Sequence, residues 1–333
     1  ALRGAEAGDV GMSMRVGDES ARTRAEALDP LLASNEITTP HGRSEWRVAA
    51  RRFVRNPAAV IGLGFLVLMT FACFVLVHVA PSPTEQSLLE PTSGPSWAHW
   101  FGTDELSRDS LSRVLHGGQV SLKVAFGVAI LSTAFGVVIG ALAGYHRGWL
   151  DGLLMRFTDL WIALPALPIL AVAVSIGTVD LGPLGELDLG GPLGMTLLLS
   201  MLLWGSVARV VRGATLSLRE REFVDAARAM GASNTRIIVR HVIPNCMGPI
   251  LVNATLVVAE AILVETTLSF LGFGIQPPTP SWGNLLSNAI ATTEDYWWLT
   301  VFPGLAIFLT VLAVNFVGDG LRRAIDPRRP VKV

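Results

Sequence analysis

Two carboxylates interrupt an apolar run. Glu260 and Glu265 both lie in the segment from Cys246 to Thr267, where almost every neighbour is aliphatic. An ionised carboxylate at the centre of a membrane span costs about 2.5–3.5 kcal/mol on insertion scales, so each must face protein, water or a ligand. The chemistry open to them is recognition of a cation, such as an ammonium group, along a translocation path. The other reading is a structural hydrogen bond holding the irregular LSFLGFG turn that follows, which suits Glu265 in particular. Asn253 and Asn315 are the other polar groups in apolar runs. Helix–helix hydrogen bonding accounts for them more cheaply than ligand contact, although Asn253 joins Glu260 and Glu265 as a candidate path residue.

Other chemistry is not indicated. No GxxxxGK[ST] phosphate loop occurs, and neither Lys123 nor Lys332 follows a glycine. The six histidines are scattered singly without metal-ligand spacing. No nucleophile–base pair is suggested. The chain is expected to have no catalytic, cofactor or metal site of its own.

Composition sets the class. Of 333 residues, 51% are hydrophobic and 16% charged, against about 25% charged in soluble domains. This is a membrane protein. A net charge of −1 argues against a nucleic-acid partner. Cys73 and Cys246 lie in or beside apolar runs and read as small buried hydrophobes. No cleavable signal peptide is expected, because the first long apolar run begins near Pro57.

Residues 1–42 lack apolar periodicity and read as a disordered tail. Ser44–Arg55 predicts a short amphipathic helix, with Trp46 and Phe53 at the membrane surface and Arg47, Arg51, Arg52 and Arg55 near the headgroups. Six spans follow, at about 58–80, 124–144, 160–179, 192–208, 246–267 and 297–317. Each is close to the roughly 20 residues that a span requires. Pro165 and Pro168 should kink the third. Asp109 should cap a short helix ending at Gly117-Gly118. Trp97, Trp100, Trp282, Trp297 and Trp298 read as interface anchors. All Lys and Arg except Arg108, Arg113 and Lys123 fall in the tails, the 145–156 linker and the 209–240 stretch. Positive residues favour the cytoplasm, so both termini and that stretch are expected there.

The stretch from Arg219 to Pro244 stands out. Phe223, Ala226, Ala227 and Met230 recur at i, i+3, i+4 and i+7, on one face of a short helix. Glu222, Asp225 and Arg228 lie around the other side. Gly231 follows where a left-handed residue would end the helix. Ser233 can cap a second helix, which must stop or kink at Pro244. A small-residue face on a hairpin between spans reads as a docking knob.

This stretch resembles the EAA loop of ABC importer permeases: Asp225-Ala226-Ala227 stand for Glu-Ala-Ala, then Gly231, then Ile243-Pro244. Residues 102–113, GTDELSRDSLSR, resemble the GTDxxGRDxxSR segment of the C-type permease component of dipeptide and oligopeptide importers, with Ser107 in place of glycine. Glu265 to Gly283 resembles that component's ExxLSFLGxGxxPPxPxWG segment, and RRFVRNPAAVIGL its N-terminal membrane segment.

The resemblance implies an all-α, six-helix type I ABC importer permease in the bacterial cytoplasmic membrane. Residues 1–42 would be a cytoplasmic tail, 43–118 the first helices and an extracytoplasmic connection, and 119–320 the transport domain with its coupling stretch at 213–244. Residues 321–333 would be a second cytoplasmic tail. It implies that Glu222, Phe223, Asp225, Ala226, Ala227, Arg228, Met230 and Gly231 seat in an ATPase subunit. Its implied partners are a second homologous permease, two ABC ATPase subunits or domains holding ATP and Mg, and an extracytoplasmic peptide-binding protein. Nickel or another small solute is an alternative cargo. An ion-coupled secondary transporter is an alternative class, expected to show internal repeats that are not visible here.

Overall fold

The structure, a computed structural model, describes residues 45–84, 92–180, 182–290 and 294–325, the side chains of Glu45, Trp46 and Leu184 excepted. The tail expected over 1–42, residues 326–333 and the Trp46 side chain lie outside the described residues. By contacts the chain divides into residues 1–48 and a second unit, Ala49–Val333, which holds all the spans.

Helix α1 (Glu45–Val54) is the amphipathic segment, and α2 (Pro57–Phe74) opens on Pro57, whose missing N–H costs nothing in a first turn. Helix α3 (Ser110–His146) is 37 residues long. Asp109 caps it as expected, accepting from the Ser112 amide at 2.7 Å. The helix does not end at Gly117-Gly118. Those glycines instead admit close neighbours: a Cβ on Gly118 would lie 2.5 Å from Cys73 Sγ and 2.7 Å from the Trp282 ring.

Where one span was expected over about 160–179 there are two helices, α4 (Gly148–Ala163), which starts inside the expected 145–156 linker, and α5 (Ala166–Ser175), bent by 79° across Pro165. A small hairpin, β1 (Thr178–Asp180) against β2 (Glu186–Asp188), occupies the acidic Gly-rich connection. Helix α6 (Pro192–Arg219) follows, then α7 (Glu222–Ala229) and α8 (Asn234–Ile237). Pro244 has no N–H for the Arg240 carbonyl, and the turn before it widens to a π-turn over Ile238–Val242 before α9 (Ile243–Asn245). Helices α10 (Met247–Phe270), α11 (Trp282–Ala289) and α12 (Trp298–Ile325) complete the described elements. Among the described residues five helices are long and apolar enough to cross a membrane, and the bent pair counts as a sixth if it is one span.

Among the described residues, helices α3 and α6 share the most extensive interface. Gly136, Gly140 and Gly144 recur every four residues on α3 and lie against α6: Gly136 on Trp204 and Val207, Gly140 on Ala208 and Val211, Gly144 on Arg212 and Thr215. In lipid no hydrophobic force drives helices together, so close backbone approach through small residues supplies the packing. Helix α10 packs against α3, α6, α11 and α12 and forms the centre of the second half.

Trp282 is not an interface anchor. It is fully buried, and its indole N–H donates to the Val114 carbonyl at 3.0 Å. Trp298 is buried likewise and donates to the Thr103 carbonyl at 3.1 Å. An indole N–H can be buried when a carbonyl waits for it. Trp97, Trp100 and Trp297 are exposed, as an interface position requires. Both cysteines are free and buried.

Candidate functional site

The knob between the spans is built by α7 and its caps. Arg221 precedes the helix in extended conformation. At the other end Gly231 sits at φ 78°, its N–H donates to the Arg228 carbonyl at 2.9 Å, and the Ala232 N–H donates to the Ala227 carbonyl at 3.1 Å. This pair of bonds is a Schellman stop, which needs a left-handed residue where Gly231 stands. Ser233 then accepts from the Arg236 amide, as its capping role required.

The knob has two faces, and they divide the expected stripe. Val224 and Ala227 are buried within this chain, whereas Phe223, Ala226 and Met230 point outward. Ala227 therefore belongs to the inner face and is not part of the surface offered to a partner. Met230 is 82% exposed. Glu222, Asp225, Arg228 and Gly231 are exposed around it, and Arg228 pairs with Asp225 at 3.0 Å.

Tyr145, which the sequence did not single out, anchors the knob. It is buried at the end of α3. The guanidinium groups of Arg219 and Arg228 lie 5.6 and 5.5 Å from its ring centroid. Its hydroxyl donates to Asn234 Oδ1 at 3.2 Å. One aromatic side chain thus ties both flanks of α7 to a membrane helix. Arg212 on α6 holds Asp151 on α4 through two bonds of 2.6 and 2.8 Å, and Arg209 holds Asp159 at 2.7 Å. Only contact across the fold reveals these ties; single Arg and Asp residues in sequence carry no such signal.

The two intramembrane carboxylates part company. Glu265 is fully buried. Ser121 Oγ on α3 donates to its Oε2 at 3.0 Å and Ser269 Oγ donates to its Oε1 at 2.8 Å. Ser269 Oγ also accepts from the Ile275 amide at 3.1 Å, and Ser121 Oγ from the Trp282 amide at 3.3 Å. Through two serines the carboxylate pins the loop between α10 and α11. Glu265 is a structural residue, and its candidacy as a path residue is withdrawn because no surface reaches it. Asn284 finishes the loop: it forms a capping box with Ser281 and donates to the carbonyls of Ile275 and Thr279 at 3.0 and 2.8 Å.

Glu260 is exposed on α10 and has no hydrogen-bond or ion-pair partner among the described residues. Leu256, Leu263 and Thr267 share its face. Asn253, two turns earlier, is half-buried with an Oδ1 that finds no partner among the described residues. Asn315 does not bridge helices; it donates to the Val311 carbonyl of its own helix at 2.9 Å.

A short capped helix thrust outward between two spans is the arrangement expected of an importer permease, and comparison with known proteins decides the matter. The family described as binding-protein-dependent transport system inner membrane component matches residues 136–330, which takes in α4 to α12 and the knob. The chain belongs to this family. The permease also matches the N-terminal TM domain of oligopeptide transport permease C over residues 44–94. It is 43% identical over 294 residues to a Brucella suis biovar 1 protein described as a peptide permease, covering 87% of this chain and 92% of the relative. It is 39% identical over 291 residues to the dipeptide transport system permease protein of Alkalihalophilus pseudofirmus, covering 86% and 90%. The permease is thus an all-α, multi-pass subunit of the type I ABC importer fold. Membership removes the ion-coupled secondary transporter. At Ser107, where the resemblance calls for glycine, the backbone keeps φ at 56°, in the region glycine favours.

Proposed function

We propose that this chain is one permease half of an ATP-driven importer that carries di- and oligopeptides across the cytoplasmic membrane. The observation that carries the reading is the outward face of α7. Phe223, Ala226 and Met230 form an exposed apolar patch on a helix that Tyr145 and the Arg219–Arg228 pair hold rigidly against α3. A knob transmits force only when seated in a socket and stiffly mounted. Its partner is an ABC ATPase subunit that holds ATP and Mg, and Glu222, Asp225, Arg228 and Gly231 border the seat. A second homologous permease completes the path, a second ATPase completes the motor, and an extracytoplasmic binding protein delivers the peptide. Both termini and the knob face the cytoplasm, in keeping with the segregation of Lys and Arg. Peptide as cargo rests on the names of the relatives.

The test is reconstitution of the full assembly in vesicles with defined di- to pentapeptides and, separately, nickel. ATP-dependent accumulation of peptides is expected. Accumulation of nickel and not of peptides would replace the cargo, and uptake without ATP would end the reading.

A further inference from the structure

Glu260 poses a solvation problem that the chain does not solve by itself. It is the fourteenth residue of α10. At 1.5 Å rise per residue it lies about 20 Å from one end of the helix and about 15 Å from the other. The hydrocarbon core is about 30 Å thick, so a side chain as short as glutamate cannot reach either headgroup layer. No hydroxyl, amide or cation among the described residues meets its carboxylate. Glu265, five residues on, shows how the same helix treats a carboxylate it means to bury: two serine hydroxyls donate to it.

The surroundings of Glu260 separate the ways of covering it. Lipid cannot, because of the desolvation cost. A helix of the second permease would have to bring a cation or a hydrogen-bond donor to this face to meet it, since polar groups in membranes are satisfied across helices. A water-filled path meets it with no such partner, and ionisable groups inside membranes mark such paths. The face runs Asn253, Leu256, Glu260, Leu263, Thr267. It offers one formal negative charge between two leucines.

We propose that Glu260 is a cation-recognising subsite of the translocation path, taking an ammonium or guanidinium group of the passing substrate. This rests on the import reading above and sharpens it. A peptide offers such a group from two sources, its N-terminus and a Lys or Arg side chain. In either case the carboxylate replaces water that the cation loses on entering the membrane, and no covalent step is involved.

The test uses the complete importer in proteoliposomes, with binding protein saturated by Ala-Lys, Ala-Ala or Ala-Glu so that its own preferences drop out of the maximal rate. Glu260→Gln, Glu260→Asp and Glu260→Lys are compared with the unaltered complex. A side-chain cation as the ligand predicts that Glu260→Gln lowers the Ala-Lys rate about tenfold relative to Ala-Glu, the scale of one charge-assisted hydrogen bond. An N-terminal ammonium predicts an equal fall for all three peptides. In both cases Glu260→Asp restores most of the rate and Glu260→Lys deepens the loss. Unchanged rates in Glu260→Gln and Glu260→Lys would overturn the proposal while the import reading stands. So would loss of the second permease from purified Glu260→Gln, which would make the carboxylate an inter-subunit partner. Failure of the unaltered complex to import any of the peptides would instead strike the import reading itself.

Discussion

Glu265 and Glu260 sit five residues apart on one helix, about 140° apart around its axis at 3.6 residues per turn. One is wrapped by hydroxyls of its own chain and the other is left bare. The knob repeats the contrast: Val224 and Ala227 are packed inside, while Phe223, Ala226 and Met230 are offered outside. In a subunit of an assembly, the groups that the chain satisfies alone hold the fold. The groups it leaves unsatisfied are those that other molecules must meet.

The contrast breaks first at the carboxylates. Replacing Glu265 with alanine leaves the Ser121 and Ser269 hydroxyls without their acceptor, opens a cavity and frees the loop before α11. A loss of about 3–5 kcal/mol is expected, read as a fall in thermal unfolding midpoint and in folded yield. Glu260→Ala should change the same readings by no more than about 0.5 kcal/mol. Equal losses at the two positions would erase the distinction.

Next is the knob. Ala227→Trp forces an indole into the packed inner face and should cost about 3 kcal/mol of stability. Ala226→Trp, one residue earlier on the outer face, should leave stability within about 0.5 kcal/mol. It should nevertheless cut substrate-stimulated ATP hydrolysis by the assembled complex about tenfold or more. Normal stimulation in Ala226→Trp would show that the outer face is not the seat.

Smaller effects sharpen the picture. Tyr145→Phe keeps the ring beneath Arg219 and Arg228 but loses the hydroxyl bond to Asn234, for about 1 kcal/mol. Tyr145→Ala removes the anchor and should lower ATPase stimulation further than its effect on stability explains. Gly231→Ala meets nothing within 4 Å, so its cost is the left-handed backbone alone, about 1 kcal/mol. Thermal unfolding of each variant checks both figures.

Much of the fold was legible from one dimension. The apolar runs marked the spans, because the membrane imposes length and polarity locally. The kink at Pro165, the left-handed stop at Gly231 and the caps at Asp109 and Ser233 are single-residue backbone rules and could be read directly. The same rules misled at Gly117-Gly118. A glycine pair there looked like a helix end, whereas the glycines exist to let Cys73, Ser281 and Trp282 come close. The glycine repeat at 136, 140 and 144 was visible in the letters, but only its contact with α6 gives it meaning.

Span length and the Asp225–Gly231 pattern are local properties, so a multi-pass permease with a capped hairpin between two spans could be read from the letters. Tertiary structure alone decided which side of each element faces inward. Helical periodicity places Ala226 beside Ala227 and separates Glu260 from Glu265, but says nothing of what lies opposite. That depends on residues far away in the chain: Ser121 is 144 positions from Glu265, and Tyr145 is 83 positions from Arg228.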